Sequence, residues 1–254
     1  MPVNINLELT DHCNLKCGMC SQSMRDEAHG VPMRFMDWET WRRSLRNLRG
    51  FQDEIHLCPH WLGEPTIHPQ FDRFVEYAFG ANRGNTIFRH FKLHTNAVVF
   101  GEERSRLLLR LANLPSLESD TFLSVHFSID AFSRASYEHV KGSDKRDQVF
   151  RNVERFLDIR NELDLRRPTA TMAFVVQPGN AEEAGDYLGY WQEKLEGLGR
   201  EYQITSEWPD QNMDSIYFRR LNCGDQEGAD RLHAETLERI GVDPGTPGRA
   251  PESF

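Results

Sequence analysis

Three features of the sequence predict an α/β fold with a mostly parallel sheet. Six β-type runs are separated by helix-type segments, the pattern implies right-handed crossovers, and polar motifs gather at the C-terminal ends of the runs, where such folds place their ligands. The chain has 254 residues, enough for one sizeable α/β domain or two small ones without disulfide staples. A net charge of −9 argues against a general binder of nucleic acid or of a membrane surface. No apolar run reaches the length of a membrane span, and the N-terminus lacks a basic region followed by an apolar one, so a soluble cytoplasmic protein is expected.

In chain order, the alternating run Ile5 to Thr10 predicts the first strand. Asp37 caps a helix whose Trp38, Trp41, Leu45 and Leu48 share a face, with Gly50 as its stop. Glu54 to Cys58 reads as the second strand, and Pro69 opens a helix through Phe71, Phe74, Val75 and Phe79, ending near Gly84. Phe91 to Asn96 is the third strand and Glu102 to Asn113 the third helix. Phe122 to Asp130 is the clearest strand, followed by a loop and a helix with Val149, Val153, Phe156 and Leu157. Thr169 to Val176 is the fifth strand; a helix with Ala184, Leu188, Trp191 and Leu195 leads to a sixth at Tyr202 to Thr205. A further helix is expected over Asp225 to Ile240, then a turn-rich stretch from Gly241 and a frayed tail from Arg249 to Phe254.

Directly after the first run come Cys13, Cys17 and Cys20, spaced C-x3-C-x2-C. Thiolates this close can chelate one soft metal centre from a single loop, and five cysteines with three crowded together make a poor disulfide framework. A tetrahedral zinc site needs a fourth ligand, which His12 can supply. Three ligands also suit a four-iron, four-sulfur (4Fe-4S) cluster with one iron left open.

The spacing and position resemble the signature of radical S-adenosylmethionine (SAM) enzymes. Further stretches match that family's landmarks in order. Gly63-Glu64-Pro65 after the second strand resembles the motif that holds the SAM amino group, with Leu62 in place of its first glycine. Thr95-Asn96-Ala97 resembles the Thr-Asn-Gly after the third strand. Ser128 and Asp130, placed by strand alternation on one side with His126, stand where the family binds the ribose hydroxyls and carboxylate of SAM. Val175, Val176 and Asn180 fall where the fifth strand walls the adenine. Met19 takes the place of a common aromatic residue before the last cysteine, and its thioether can pack on the adenine.

The resemblance covers about residues 4 to 207 and implies a partial (β/α)6 barrel. It divides the chain into a radical SAM barrel over 1–207 and a bridge, helix and frayed tail over 208–254. It implies a 4Fe-4S cluster on Cys13, Cys17 and Cys20, SAM as cofactor, and an external electron donor such as a flavodoxin or ferredoxin. One electron passed to the SAM sulfonium yields a 5′-deoxyadenosyl radical, which takes hydrogen from the substrate. His56, Cys58, His60, His94 and His126 lie on or beside strands entering the site, and Lys92, His94 and Asn96 share a face by parity; His94 and His126 are candidates to move a proton. Arg219, Arg220 and Leu221-Asn222-Cys223 resemble the bridge into a SPASM or twitch extension, although no cysteine follows Cys223 to complete an auxiliary cluster.

The expected function is radical chemistry on a small molecule or natural-product intermediate. The first strand begins at once, so no N-terminal peptide-recognition module is expected. The alternatives are modification of a ribosomally made peptide and a non-catalytic zinc or iron–sulfur protein.

Overall fold

The computed structural model describes residues 2–23, 34–84, 86–115 and 121–243. Five strands lie side by side in chain order: β1 (Val3–Asn6), β2 (Ile55–Cys58), β3 (His90–Thr95), β4 (Phe122–Ser128) and β5 (Thr169–Val176). Beyond β5 the order switches. The strand Asp214–Arg220 comes next, and Tyr202–Thr205 forms the far edge; in chain order these are β7 and β6. Every pairing among these seven strands is parallel. The result is the open α/β sheet of a partial barrel.

Among the described residues, seven helices with defined bounds cover the sheet's outer face: α1 (Trp38–Asn47), α2 (Phe71–Asn82), α3 (Glu102–Ala112), α4 (Arg134–Lys141), α5 (Arg146–Glu162), α6 (Ala184–Gly197) and α7 (Gln226–Ile240). Asp37 caps α1 as the sequence predicts, its Oδ1 accepting from Thr40 N at 2.9 Å. The core lies between strands and helices. Phe91, Leu93, Val125, Phe127, Met172 and Phe174 meet the buried faces of Trp41, Phe74, Phe79, Leu108, Phe156 and Trp191. The alternate strand residues make the concave face, and they are polar: His56, His90, Lys92, His94, Ser124, His126, Thr169, Thr171 and Ser215. A parallel sheet is usually apolar on both faces, so this departure marks the concave side as a place for a polar ligand.

Three elements depart from the sequence reading. The first strand, expected over Ile5 to Thr10, is Val3–Asn6. Arg134–Lys141, expected as loop, is a short helix capped by Ser133 and stopped at Gly142. Asp214–Arg220, expected in the bridge beyond residue 207, is a strand inside the sheet. A buried ion pair explains its place beside β5. Arg160 on α5 donates to Asp214 Oδ1 at 2.8 Å and to Pro168 O at 2.7 Å, and Ala170 N donates to the same Asp214 oxygen at 2.8 Å. The sheet thus runs across the expected boundary at 207/208. The expected tail Arg249 to Phe254 lies outside the described residues.

Candidate functional site

At the C-terminal ends of the strands lies a cavity of about 370 Å³. Cys13, Cys17, Met19, Cys20, Gly63, Glu64, His94, Thr95, Asn96, Ser128, Asp130 and Val175 all line it. The structure therefore brings together nearly every residue singled out from the sequence. Pro65 instead opens the 3-10 turn Pro65–Ile67 and does not line the cavity, and His126 lies one ring behind it.

The cysteine loop is clamped from two sides. On one, Gly18 N donates to Val140 O at 3.2 Å at the end of α4. Gly142 follows with φ +64, and a Cβ there would stand 2.6 Å from Lys16 O, so only glycine suits both the turn and the contact. On the other side, Glu64 N donates to His12 O at 2.8 Å, while Leu62 N and Gly63 N reach Glu8 Oε1 at 2.7 and 2.8 Å. A Cβ on Gly63 would meet Thr10 O at 2.0 Å. This close approach, rather than backbone freedom, demands the glycine.

Cys13, Cys17 and Cys20 are free thiols facing one cavity. Burial pushes Cys13 up to about 12 and raises Cys17 as well, so a bound cationic centre is what favours their thiolates. The donor set is all sulfur, which suits iron–sulfur ligation.

Glu64 is a brace. Its carboxylate accepts from Thr66 N at 3.1 Å, Thr66 Oγ1, Thr95 Oγ1 at 2.8 Å and Asn96 N at 2.6 Å. Burial pushes Glu64 up and these donors pull it back. It thereby fixes Asn96, whose Nδ2 donates to Asn14 Oδ1 at 2.7 Å and approaches Cys13 Sγ at 3.6 Å.

Strand alternation does not align Ser128 with Asp130: β4 ends at Ser128, and Asp130 has φ 61 in the left-handed region. Lys141 joins them instead. Its Nζ donates to Ser128 O at 2.9 Å and Asp130 Oδ2 at 2.7 Å, and Asp130 Oδ1 accepts from Val175 N at 2.8 Å. The paired side chains are only 3% and 2% exposed. Burial opposes the Lys141 charge, but Asp130 together with Cys17 and Tyr137 raises it well above the ordinary lysine value. Lys141 carried no motif; its only sequence signal is its place just before the helix-stopping Gly142.

On the wall by β5, Met19 Sδ accepts from Gln177 Nε2 at 3.0 Å. Asn180 ties the ends of β4 and β5 by donating to Asp130 O at 2.7 Å and Val175 O at 2.8 Å.

Three imidazoles form a column. His94 stacks on His60 at 4.4 Å and on His126 at 4.3 Å, and Trp208 lies over His94 and His126 at 6.1 and 6.3 Å. Burial lowers His60 to about 4; burial and the nearby Arg219 charge lower His126 to about 3; burial also drives His94 well down. All three are neutral at pH 7, which makes them a stacking and hydrogen-bonding surface and poor proton acceptors there. Because the folded protein resists protonating His126, stability is full above the unfolded histidine value near 6.5 and falls as pH drops toward 3. His126→Asn is expected to reduce that slope by up to about 1.4 kcal/mol per pH unit, read from urea unfolding between pH 7 and 5. An unchanged slope would show that His126 is readily protonated in the folded state.

An open parallel sheet bearing a three-cysteine loop after its first strand, over a cavity at the strand ends, is a partial-barrel architecture with a thiol-lined site. The sequence model of the radical SAM superfamily matches residues 7–184, and the chain belongs to that superfamily. The cofactors of that superfamily are a 4Fe-4S cluster and SAM. It is similar to the tungsten-containing aldehyde ferredoxin oxidoreductase cofactor-modifying protein of Pyrococcus furiosus, at 24% identity over 215 residues, covering 83% of this chain and 54% of that protein. The fold is shared with anSMEcpe bound to AdoMet, at TM-score 0.64 and 15% identity over 95% of this chain and 57% of that one. SuiB of Streptococcus suis gives TM-score 0.55 and 13% identity over 96% and 48%. The chain thus spans about half the length of these relatives. No helix among the described residues is long and apolar enough to cross a membrane.

Proposed function

We propose that this enzyme abstracts hydrogen from a small-molecule or natural-product substrate, with Cys13, Cys17 and Cys20 holding the cluster and the 370 Å³ cavity holding SAM. The observation that carries this reading is the convergence of the three thiols, Asn96, Ser128, Lys141 and Val175 on one cavity. When bound, the cluster and SAM supply a 5′-deoxyadenosyl radical on receipt of one electron, drawn here from a flavodoxin or ferredoxin.

The chain's residues have separate tasks. Lys141, held by Asp130, presents its remaining N–H donor to the SAM carboxylate, and Ser128 borders the ribose. Glu64 sets the Gly63 loop and Asn96 around the SAM amino group. Val175 and Met19 wall the adenine. His94 and His126 position substrate by stacking, with any proton transfer through them slowed by their low basicity. The similarity to a cofactor-modifying protein favours a small substrate over a peptide.

Anaerobic reconstitution tests the reading. About four iron and about four sulfide per chain, with 5′-deoxyadenosine formed from SAM and a reductant, are expected. Stoichiometric zinc without SAM cleavage would reject it in favour of a non-catalytic metal protein. Saturable, tight binding of a precursor peptide would replace the small-molecule substrate by a peptide.

A further inference from the structure

The concave face holds a buried charge for which the described residues offer no counter-ion. Lys92, in the middle of β3, is 8% exposed. An ammonium has three N–H donors. One is given to Asn4 Oδ1 at 3.1 Å, and the charge stands 5.6 Å from the Trp208 ring centre. Among the described residues the acidic group that acts on it is the Cys58 thiol, which burial pushes up to about 11 and so keeps uncharged at neutral pH. His56, His90 and His94 are held neutral by burial and, in addition, by the Lys92 charge. The carboxylates at the cavity are engaged elsewhere, Glu64 by Thr66, Thr95 and Asn96, and Asp130 by Lys141 and Val175. A positive concave face in a chain of net charge −9 is a local construction. Burying an ammonium without a partner is strongly unfavourable.

We propose that Lys92 is a specificity-determining residue that binds an anionic group of the substrate, a carboxylate or phosphate, at the floor of the concave face. This rests on the proposal that the cavity above it houses radical chemistry on a substrate. Lys92 lies two residues below His94 on one face of β3, ~7 Å at the rise of a strand. The substrate is therefore an elongated acid, with its anionic end at Lys92 and its reacting carbon toward the cysteine loop. The neutral His94 and Trp208 rings flank its stem without competing for the anion. Trp208 is itself 41% exposed.

Urea unfolding of the reconstituted full chain tests this, with inorganic phosphate and glutarate as probes at an ionic strength fixed by sodium chloride. The wild type is expected to show a saturable rise in midpoint with at least one probe. Response to phosphate alone assigns a phosphorylated substrate, and response to glutarate alone a carboxylic acid. Without added anion, Lys92→Met is expected to unfold at higher urea, by about 0.5 M, because an uncompensated charge has gone; it should lose the anion response. Lys92→Arg should keep that response. No saturable response in the wild type, an equal response in Lys92→Met, or a lower midpoint in Lys92→Met would each overturn the proposal. None of these readings uses SAM cleavage. Failure here leaves the enzymatic assignment intact, and failure of SAM cleavage leaves the titration interpretable.

Discussion

Cys17→Ala is expected to bring cluster content and 5′-deoxyadenosine formation to background while leaving the fold in place. Cys17 sits between Gly18, tethered to α4, and Lys16, against which Gly142 packs. The loop's course is thus set by its backbone contacts. Removing one sulfur deletes a ligand without releasing the clamp, and the packing lost from a partly buried side chain is about 1 kcal/mol. Iron and sulfide analysis, far-ultraviolet circular dichroism and product assay read the three consequences separately. Wild-type iron content with retained SAM cleavage would remove Cys17 from the ligand set.

Asp130→Ala is expected to be the most destabilising of the substitutions considered, by about 3–5 kcal/mol, because it strands the Lys141 ammonium in the interior. The pair is almost fully buried, and Lys141 would keep only Ser128 O as its partner among these contacts. Adding Lys141→Met should restore most of the loss. The remaining deficit, about 1 kcal/mol, belongs to the bond between Val175 N and Asp130 Oδ1. SAM affinity should behave differently and stay at least about tenfold weaker in the double variant, since no ammonium is then left to face the SAM carboxylate. Urea unfolding and equilibrium SAM binding, measured on both variants, separate the effects. An unchanged urea midpoint for Asp130→Ala, or native SAM affinity in the double variant, would refute this account.

The sequence made local features legible. The cysteine spacing, the Asp37 cap and the strands at Thr169–Val176 and Tyr202–Thr205 each follow from neighbouring residues. What it concealed depends on distant partners. Glu64 and Asp130 are found at the cavity, yet nothing near them in sequence shows that their carboxylates are taken by Thr95, Asn96 and Lys141. Lys141 reaches the site only because an eight-residue helix, too short for a clear amphipathic period, ends there. Trp208 arrives on the loop between β6 and β7. β7 itself was obscured by charges at both ends, Asp214 and Arg219-Arg220, which read as linker while Ile216 and Phe218 enter the core.

The reversed order of the last two strands has a consequence for synthesis. When a nascent chain has emerged as far as Thr205, the strand that must separate Tyr202–Thr205 from β5 does not yet exist. Among the described residues, 202–205 then have no strand to pair with, and the β5 edge stands open until Asp214–Arg220 arrives with Asp214 to meet Arg160. The sheet is therefore completed from within, its outermost strand settling only after a later one has been inserted. A chain released after residue 207 would leave that edge unpaired and Arg160 buried beside it without its carboxylate, an invitation to pairing with other chains.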